Sequence, residues 1–206
     1  MQQLKNAEEY IAQQRSSITA NSECAAAHYN LAVALLGQKK YDEAEKELFE
    51  TIELSSTFAE AYVQLGGLCL KKGDLEGCLK YNKLAVTAKA AFSEGHANIG
   101  FVHLQKGEID DAIKALQKAI AYNSKFLQAF ATLANAYLMK GLINESIQAN
   151  LKALSIEPDF AVVHNNIAIA YMEKGDFDLA IKHCDKAVEL GYEVPAQISE
   201  KIDKHR

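Results

Sequence analysis

Apolar residues recur along this 206-residue chain at a fixed spacing of 34 positions. The clearest series is aromatic and consists of Phe58, Phe92, Phe126 and Phe160, with Val194 at the next step. A second series is aliphatic, and alanine or glycine follows each member: Leu31, Leu65, Ile99, Leu133 and Ile167. Further series at the same period are Gly73, Gly107, Gly141, Gly175 and Ala85, Ala119, Ala153, Ala187. Several series at one spacing indicate an internal structural repeat.

Within each 34-residue unit the apolar spacing is that of helices. Ile99, Val102 and His103 follow the i, i+3, i+4 pattern, and a second helical run begins at Ile109. Gly107 between the runs suits a helix end, because a left-handed glycine has no Cβ clash. Each unit is therefore predicted to be a helix, a turn and a second helix. Stacking would bury the apolar faces that one hairpin leaves open.

Small residues mark the positions where the two helices of a unit are expected to cross closely. In the first helices they are Ala32, Gly66, Gly100, Ala134 and Ala168. In the second helices they are Ala44, Cys78, Ala112, Ser146 and Ala180.

This pattern resembles the tetratricopeptide repeat family, whose 34-residue signature has aromatic, leucine, small, glycine and alanine positions. The resemblance implies an all-α fold, a right-handed α-solenoid of about five helix-turn-helix repeats. The expected repeats are 25–58, 59–92, 93–126, 127–160 and 161–194. Residues 1–24 are expected to form an N-terminal helix, a degenerate half-repeat, and residues 195–206 a C-terminal capping helix.

Single repeats depart from the family signature without disturbing its period. Lys39 replaces the turn glycine of repeat one, and Thr51 replaces its late alanine. The signature tryptophan position holds His28, Tyr62, His96, Phe130 and His164. These histidines are interpreted as fillers of a slot for a flat ring, with a metal or pH site as the alternative. Because they lie two repeats apart, they cannot share one ion, and no metal site is predicted.

Composition and motifs narrow the class of function. The net charge is −5 and no basic patch occurs, which disfavours nucleic-acid binding. No transmembrane helix is predicted, residues 1–24 do not read as a signal peptide, and the expected location is the cytoplasm. Phosphate-loop, dinucleotide, zinc-protease and nucleophile-elbow motifs are absent, so neither enzymatic activity nor a cofactor is predicted. The four cysteines are expected to be free thiols that fill the core, with a redox switch as the weaker alternative.

The resemblance implies that the first helices line a concave groove. One inward position, here called the polar row, reads Asn30, Gln64, Asn98, Thr132 and Asn166. Amide side chains can pair with the N–H and C=O groups of an extended peptide. The row is similar to the asparagine row in the repeat domain of O-linked N-acetylglucosamine transferases, which holds polypeptide by its backbone. The alternative is that asparagine is simply common at this family position.

Apolar residues at neighbouring inward positions are expected to supply further contacts. They are Leu70, Phe101, Leu104, Leu138 and Met172. Part of this stripe could instead pack against the next repeat. The basic residues with which some family members hold acidic chaperone tails are missing, since Tyr29, Val33, Gln64, Glu94 and Asn98 stand there.

The sequence thus predicts an adaptor or scaffold that binds a protein or peptide segment in the groove. The alternative is a structural protein that self-assembles into homo-oligomers through the ends of the array or through the groove, because an open head-to-tail contact makes filaments.

Overall fold

A computed structural model of the chain describes residues 2–206, with side chains from residue 6 onward. Over that range the chain forms twelve α-helices and no strand, so the predicted all-α fold is confirmed. The helices are α1 Gln2–Ala20, α2 Ala25–Gly37, α3 Tyr41–Leu54, α4 Ala59–Lys71, α5 Leu75–Ala88, α6 Ser93–Gln105, α7 Ile109–Tyr122, α8 Leu127–Met139, α9 Ile143–Ile156, α10 Ala161–Lys174, α11 Phe177–Glu189 and α12 Ala196–Asp203. Two helices fall in each of the five 34-residue segments.

The turn inside each hairpin uses a residue in the left-handed conformation. Four of these residues are the periodic glycines Gly73, Gly107, Gly141 and Gly175, with φ between 76° and 82°. In repeat one Lys39 takes the same conformation at φ 61°. The departure from the signature therefore changes the residue but not the turn.

The chain divides within α6 into two compact units, one up to Asn98 and one from Ile99. In the first unit α1 packs on α2, and the hairpins α2–α3 and α4–α5 follow. Apolar residues from different hairpins share its core, as where Ala32 and Leu48 pack with Leu65. Stacking of hairpins thus buries what a single hairpin would expose.

The second unit repeats this packing and ends in a cap. Its hairpins are α8–α9 and α10–α11, with α7 packed on α8 and α12 on α11. Ile202 of α12 is fully buried against Ala168 and Cys184. The other residues at the end of α12 are exposed and mostly charged: Glu200, Lys201, Asp203, Lys204, His205 and Arg206.

The small-residue positions lie in buried contacts between helices. Ala32, Ala44, Ala112 and Ala180 are all 0% exposed. A Cβ added at Gly100 would lie 2.6 Å from Cγ of Leu116 and 3.1 Å from the carbonyl oxygen of Ala112. Helix backbones can approach this closely only where the side chain is minimal.

We predict that Gly100→Val destabilises the protein by about 1–3 kcal/mol, because the added side chain overpacks the contact with Leu116. Gly67→Val is the matched control, since nothing lies within 4 Å of a Cβ at this other mid-helix glycine. The control should change the free energy of unfolding by no more than about 0.5 kcal/mol. Urea denaturation measures both, and equal effects would contradict close packing at Gly100.

Candidate functional site

The polar row occupies corresponding places on successive first helices. Asn30, Gln64 and Asn98 lie on α2, α4 and α6 of the first unit, and Thr132 and Asn166 lie on α8 and α10 of the second. All five side chains are partly exposed. Each is therefore held by the protein on one side and reachable from solvent on the other.

Asn98 is tied to the core by a buried asparagine of the preceding helix. The Asn98 side-chain amide donates from Nδ2 to Oδ1 of Asn82 at 3.0 Å. Asn82 is 0% exposed and donates its own Nδ2 to the backbone carbonyl of Cys78 at 2.9 Å. Asn82 was not among the predicted site residues, and its spacing was the only sequence signal: Asn82 and Asn150 lie two repeats apart, each sixteen residues before an asparagine of the row.

Two other row members also make hydrogen bonds of their own. Burial raises the pKa of the Tyr29 phenol, and a hydrogen bond with Gln64 partly offsets that effect. The hydroxyl of Thr132 donates to the backbone carbonyl of Gln128 at 2.7 Å, which leaves only acceptor capacity at its oxygen. The row thus differs from member to member in which groups remain available.

The second unit contains buried polar groups without partners. Ser146 and Asn150 are each 1% exposed and Asn165 is 4% exposed. Oγ of Ser146, both polar atoms of the Asn150 amide, and Oδ1 of Asn165 make no hydrogen bond within the described chain. Asn150 occupies the same repeat position as Asn82. The Asn82 amide is hydrogen-bonded, whereas the Asn150 amide is not.

The predicted apolar positions differ widely in exposure. Leu70 is 37% exposed, and Phe101 and Leu138 are partly buried. Met172 packs on the cluster that contains Ile202. Leu104 is only 6% exposed, so little of its side chain is available to a partner.

A pocket of about 870 Å³ opens between α1 and α2 in the first unit. Asn30 of the polar row lies in its wall, beside two exposed apolar residues, Tyr10 at 43% and Val33 at 42%. The whole lining is Asn6, Ala7, Glu8, Tyr10, Tyr29, Asn30, Val33, Ala34, Gly37, Gln38 and Lys40. An amide and apolar side chains thus share one concave surface.

The periodic histidines make one recurring contact. Nε2 of His28, His96 and His164 lies 3.2, 3.0 and 2.9 Å from the backbone carbonyl six residues earlier. A carbonyl only accepts, so Nε2 of His164 donates to Pro158, and Nδ1 of neutral His164 accepts from His183 at 3.0 Å. This hydrogen bond is a structural explanation for histidine at the signature tryptophan position.

Other chemistry is sparse over the part of the chain that the structure describes. No three His, Cys, Asp or Glu side chains there are grouped closely enough to hold a metal ion. Cys69, Cys78 and Cys184 are buried free thiols, and burial raises the pKa of each. None of the described helices combines the length and the apolar character needed to cross a membrane.

The fold and its periodic positions define a tetratricopeptide-type helical repeat protein. Family models described as "Tetratricopeptide repeat" match residues 6–57 and 161–190, and one described as "TPR repeat" matches residues 100–141. Together they span more than half of the chain, which belongs to the tetratricopeptide repeat family. A search of curated proteins found no match.

Solved structures share this fold. A crystal structure of MamA is 26% identical over 84% of this chain and 97% of its own, with a TM-score of 0.68. YrrB is 20% identical over 93% of this chain and 97% of its own, with a TM-score of 0.72. PilF of Pseudomonas aeruginosa is 17% identical over 99% of this chain and 92% of its own, with a TM-score of 0.84. At these lower identities, YrrB and PilF show likeness of fold alone.

We predict that the protein becomes less stable as the pH falls through the titration of His183. Burial lowers the pKa of His183 below its ordinary value of 6.5, and the neighbouring His164 and Lys182 lower it further. The unfolded chain therefore takes up this proton first, so the stabilisation is complete above pH 6.5 and is lost as the pH falls through the folded-state pKa. Urea denaturation between pH 7.5 and 5 should show the decline, and His183→Gln should make it shallower. NMR titration of the His183 ring protons gives the pKa directly, and a midpoint at or above 6.5 would contradict the prediction.

We predict that Asn150→Leu raises the free energy of unfolding by about 1–3 kcal/mol, because it removes two buried polar atoms that have no partner. Leucine fits this position, since Leu48 and Leu116 occupy it elsewhere at 0% exposure. Asn82→Leu is the matched control and should not stabilise, because it removes hydrogen bonds that are made. Thermal and urea denaturation measure both variants, and destabilisation by Asn150→Leu would mean that Asn150 finds partners in solution.

Proposed function

We propose that this chain is a non-enzymatic adaptor that binds an extended segment of another protein along its first helices. The observation that supports this best is the partly exposed polar row beside exposed apolar side chains. In the first unit Asn30 and Val33 share one pocket wall. The row supplies hydrogen bonds, and the apolar residues supply anchoring surface.

The chemistry of an extended segment suits such a surface. A peptide in extended form presents unpaired N–H and C=O groups, which lose water when they enter a groove and must be compensated. An extended chain rises about 3.3 Å per residue, and packed helices lie about 8–10 Å apart. Neighbouring repeats within one unit would therefore meet the bound backbone at about every third residue.

The family and its relatives support a protein partner. The structure of YrrB is described as that of a TPR protein with an unusual peptide-binding site, which is a property of that protein. In this chain the polar row and its neighbours offer amides and exposed apolar side chains. The missing catalytic motifs favour recognition over catalysis, and buried free thiols suit a reducing compartment such as the cytoplasm.

Self-association is the alternative, and the end of the second unit argues against one form of it. Glu200, Lys201, Asp203 and Lys204 are exposed on α12, so its outer face is charged. Burying these side chains against another copy would require each charge to find a partner. Light scattering over a hundredfold range of concentration decides the point, because a mass that rises with concentration would favour self-assembly.

We predict that alanine at Asn30 and Gln64, both in the first unit, weakens peptide binding at least about tenfold, since each lost hydrogen bond contributes about 1 kcal/mol. The probe is a peptide selected on the wild-type protein from a phage-displayed library of random twelve-residue sequences. Fluorescence anisotropy with the labelled peptide gives the dissociation constant, and circular dichroism verifies folding.

The matched control replaces two exposed amides of a second helix, Asn144→Ala and Gln148→Ala in α9. This double variant should bind as the wild type does. Loss of binding in the control, with binding retained by the row variant, would move the site to the α8–α9 surface. Failure to select any peptide would refute groove binding.

A further inference from the structure

We infer that the buried Asn82 is a positioning residue, which turns the Asn98 amide so that its carbonyl oxygen is left for a bound partner. Asn98 then acts as an acceptor, and the group that it recognises is an N–H donor such as a peptide backbone amide. The part that concerns the partner rests on the proposed function, whereas the orientation of Asn98 does not.

The orientation of Asn82 follows from the group that it faces. Its Nδ2 lies 2.9 Å from the backbone carbonyl oxygen of Cys78, four residues earlier on α5. A carbonyl can only accept a hydrogen bond, so the atom facing it must be the NH₂ group. The reverse assignment would bring two oxygens together with no proton between them, at a site with 0% exposure. Oδ1 of Asn82 must therefore point towards Asn98.

Asn98 is then fixed in turn. Oδ1 of Asn82 is an acceptor 3.0 Å from the Asn98 amide, so Asn98 presents Nδ2 to it. That contact uses the donor end of the Asn98 amide inside the protein. Asn98 is partly exposed, and no group in the described chain donates to its Oδ1. The free end of this row member is thus a carbonyl oxygen.

Packing alone does not require asparagine at position 82. Leu48 and Leu116 fill the equivalent buried place in repeats one and three. In repeat two Gly66 leaves space for the Asn82 side chain, because a Cβ at position 66 would collide with Nδ2 of Asn82. Asn150 stands at the same place in repeat four with neither polar atom paired. The hydrogen bond to the row therefore distinguishes Asn82 from every other residue at this position.

An acceptor at Asn98 selects among partner groups. A peptide backbone N–H can donate to it, whereas a partner oxygen without a proton would be repelled. Replacing one backbone amide of the bound peptide by an ester removes the N–H but leaves the chain geometry similar. The ester at the N–H that meets Asn98 should weaken binding, and this effect should depend on Asn82.

The positioning is tested first without any partner, by NMR of ¹⁵N-labelled protein. Asn82→Leu should shift the Asn98 side-chain amide signals and speed their exchange with water, because the hydrogen bond is lost. Asn150→Leu is the matched control, and should leave these signals in place. Both variants are first checked for the native circular dichroism spectrum and a cooperative unfolding transition. Unchanged Asn98 signals in Asn82→Leu would overturn the positioning role.

Partner chemistry is tested next with the library-selected peptide and its backbone ester series. One ester should weaken binding to the wild type and to Asn150→Leu about fivefold, and should weaken binding to Asn82→Leu much less. If every ester acted equally on all three proteins, or if none weakened binding to the wild type, Asn98 would not be the acceptor. If no peptide is selected while the NMR result holds, the proposed function fails and the positioning of Asn98 stands.

Discussion

The close approach of the two helices in each hairpin is the constraint on which the rest of the structure depends. Glycine or alanine on the first helix lets the backbones come so near that the facing side chain of the second helix is wholly enclosed. Leu116 opposite Gly100 and Asn82 opposite Gly66 show the arrangement. Such an enclosed residue cannot reach water, so its chemistry must be satisfied within the protein.

Different repeats meet this requirement in different ways. Leu48 and Leu116 need only apolar neighbours, which the stack provides. Asn82 needs two hydrogen-bond partners and finds one in the backbone of its own helix and one in Asn98. The second bond joins the core to the polar row. The packing of Asn82 in repeat two therefore also sets the orientation of the partly exposed Asn98 amide. Asn150 makes neither bond, and the second unit bears the cost of an unpaired buried amide.

The sequence predicted the helices well because a 34-residue period is itself a product of packing. Even Lys39, which departs from the signature, keeps the left-handed turn. The polar row stays a prediction as a binding surface, and the structure adds that its five members are partly exposed. The link from Asn82 to Asn98 was not, since it depends on which way an amide faces a backbone carbonyl, and spacing contains no such information. The burial of Leu104 depends on which neighbouring side chains cover it, which the period does not specify.

Binding and stability are therefore not independent along the polar row. Removing the Asn98 side chain would strand Oδ1 of Asn82 in a fully buried site, so part of any loss of binding would be a loss of core hydrogen bonding. The same truncation at Asn166 takes no partner from Asn150, whose amide makes no hydrogen bond within the described chain. The difference between the effects of the Asn98 and Asn166 truncations therefore measures the contribution of the hydrogen bond between Asn98 and the buried Asn82. Substitution at the buried asparagines separates that contribution from direct contact, because Asn82 and Asn150 are too deeply enclosed to touch a partner themselves.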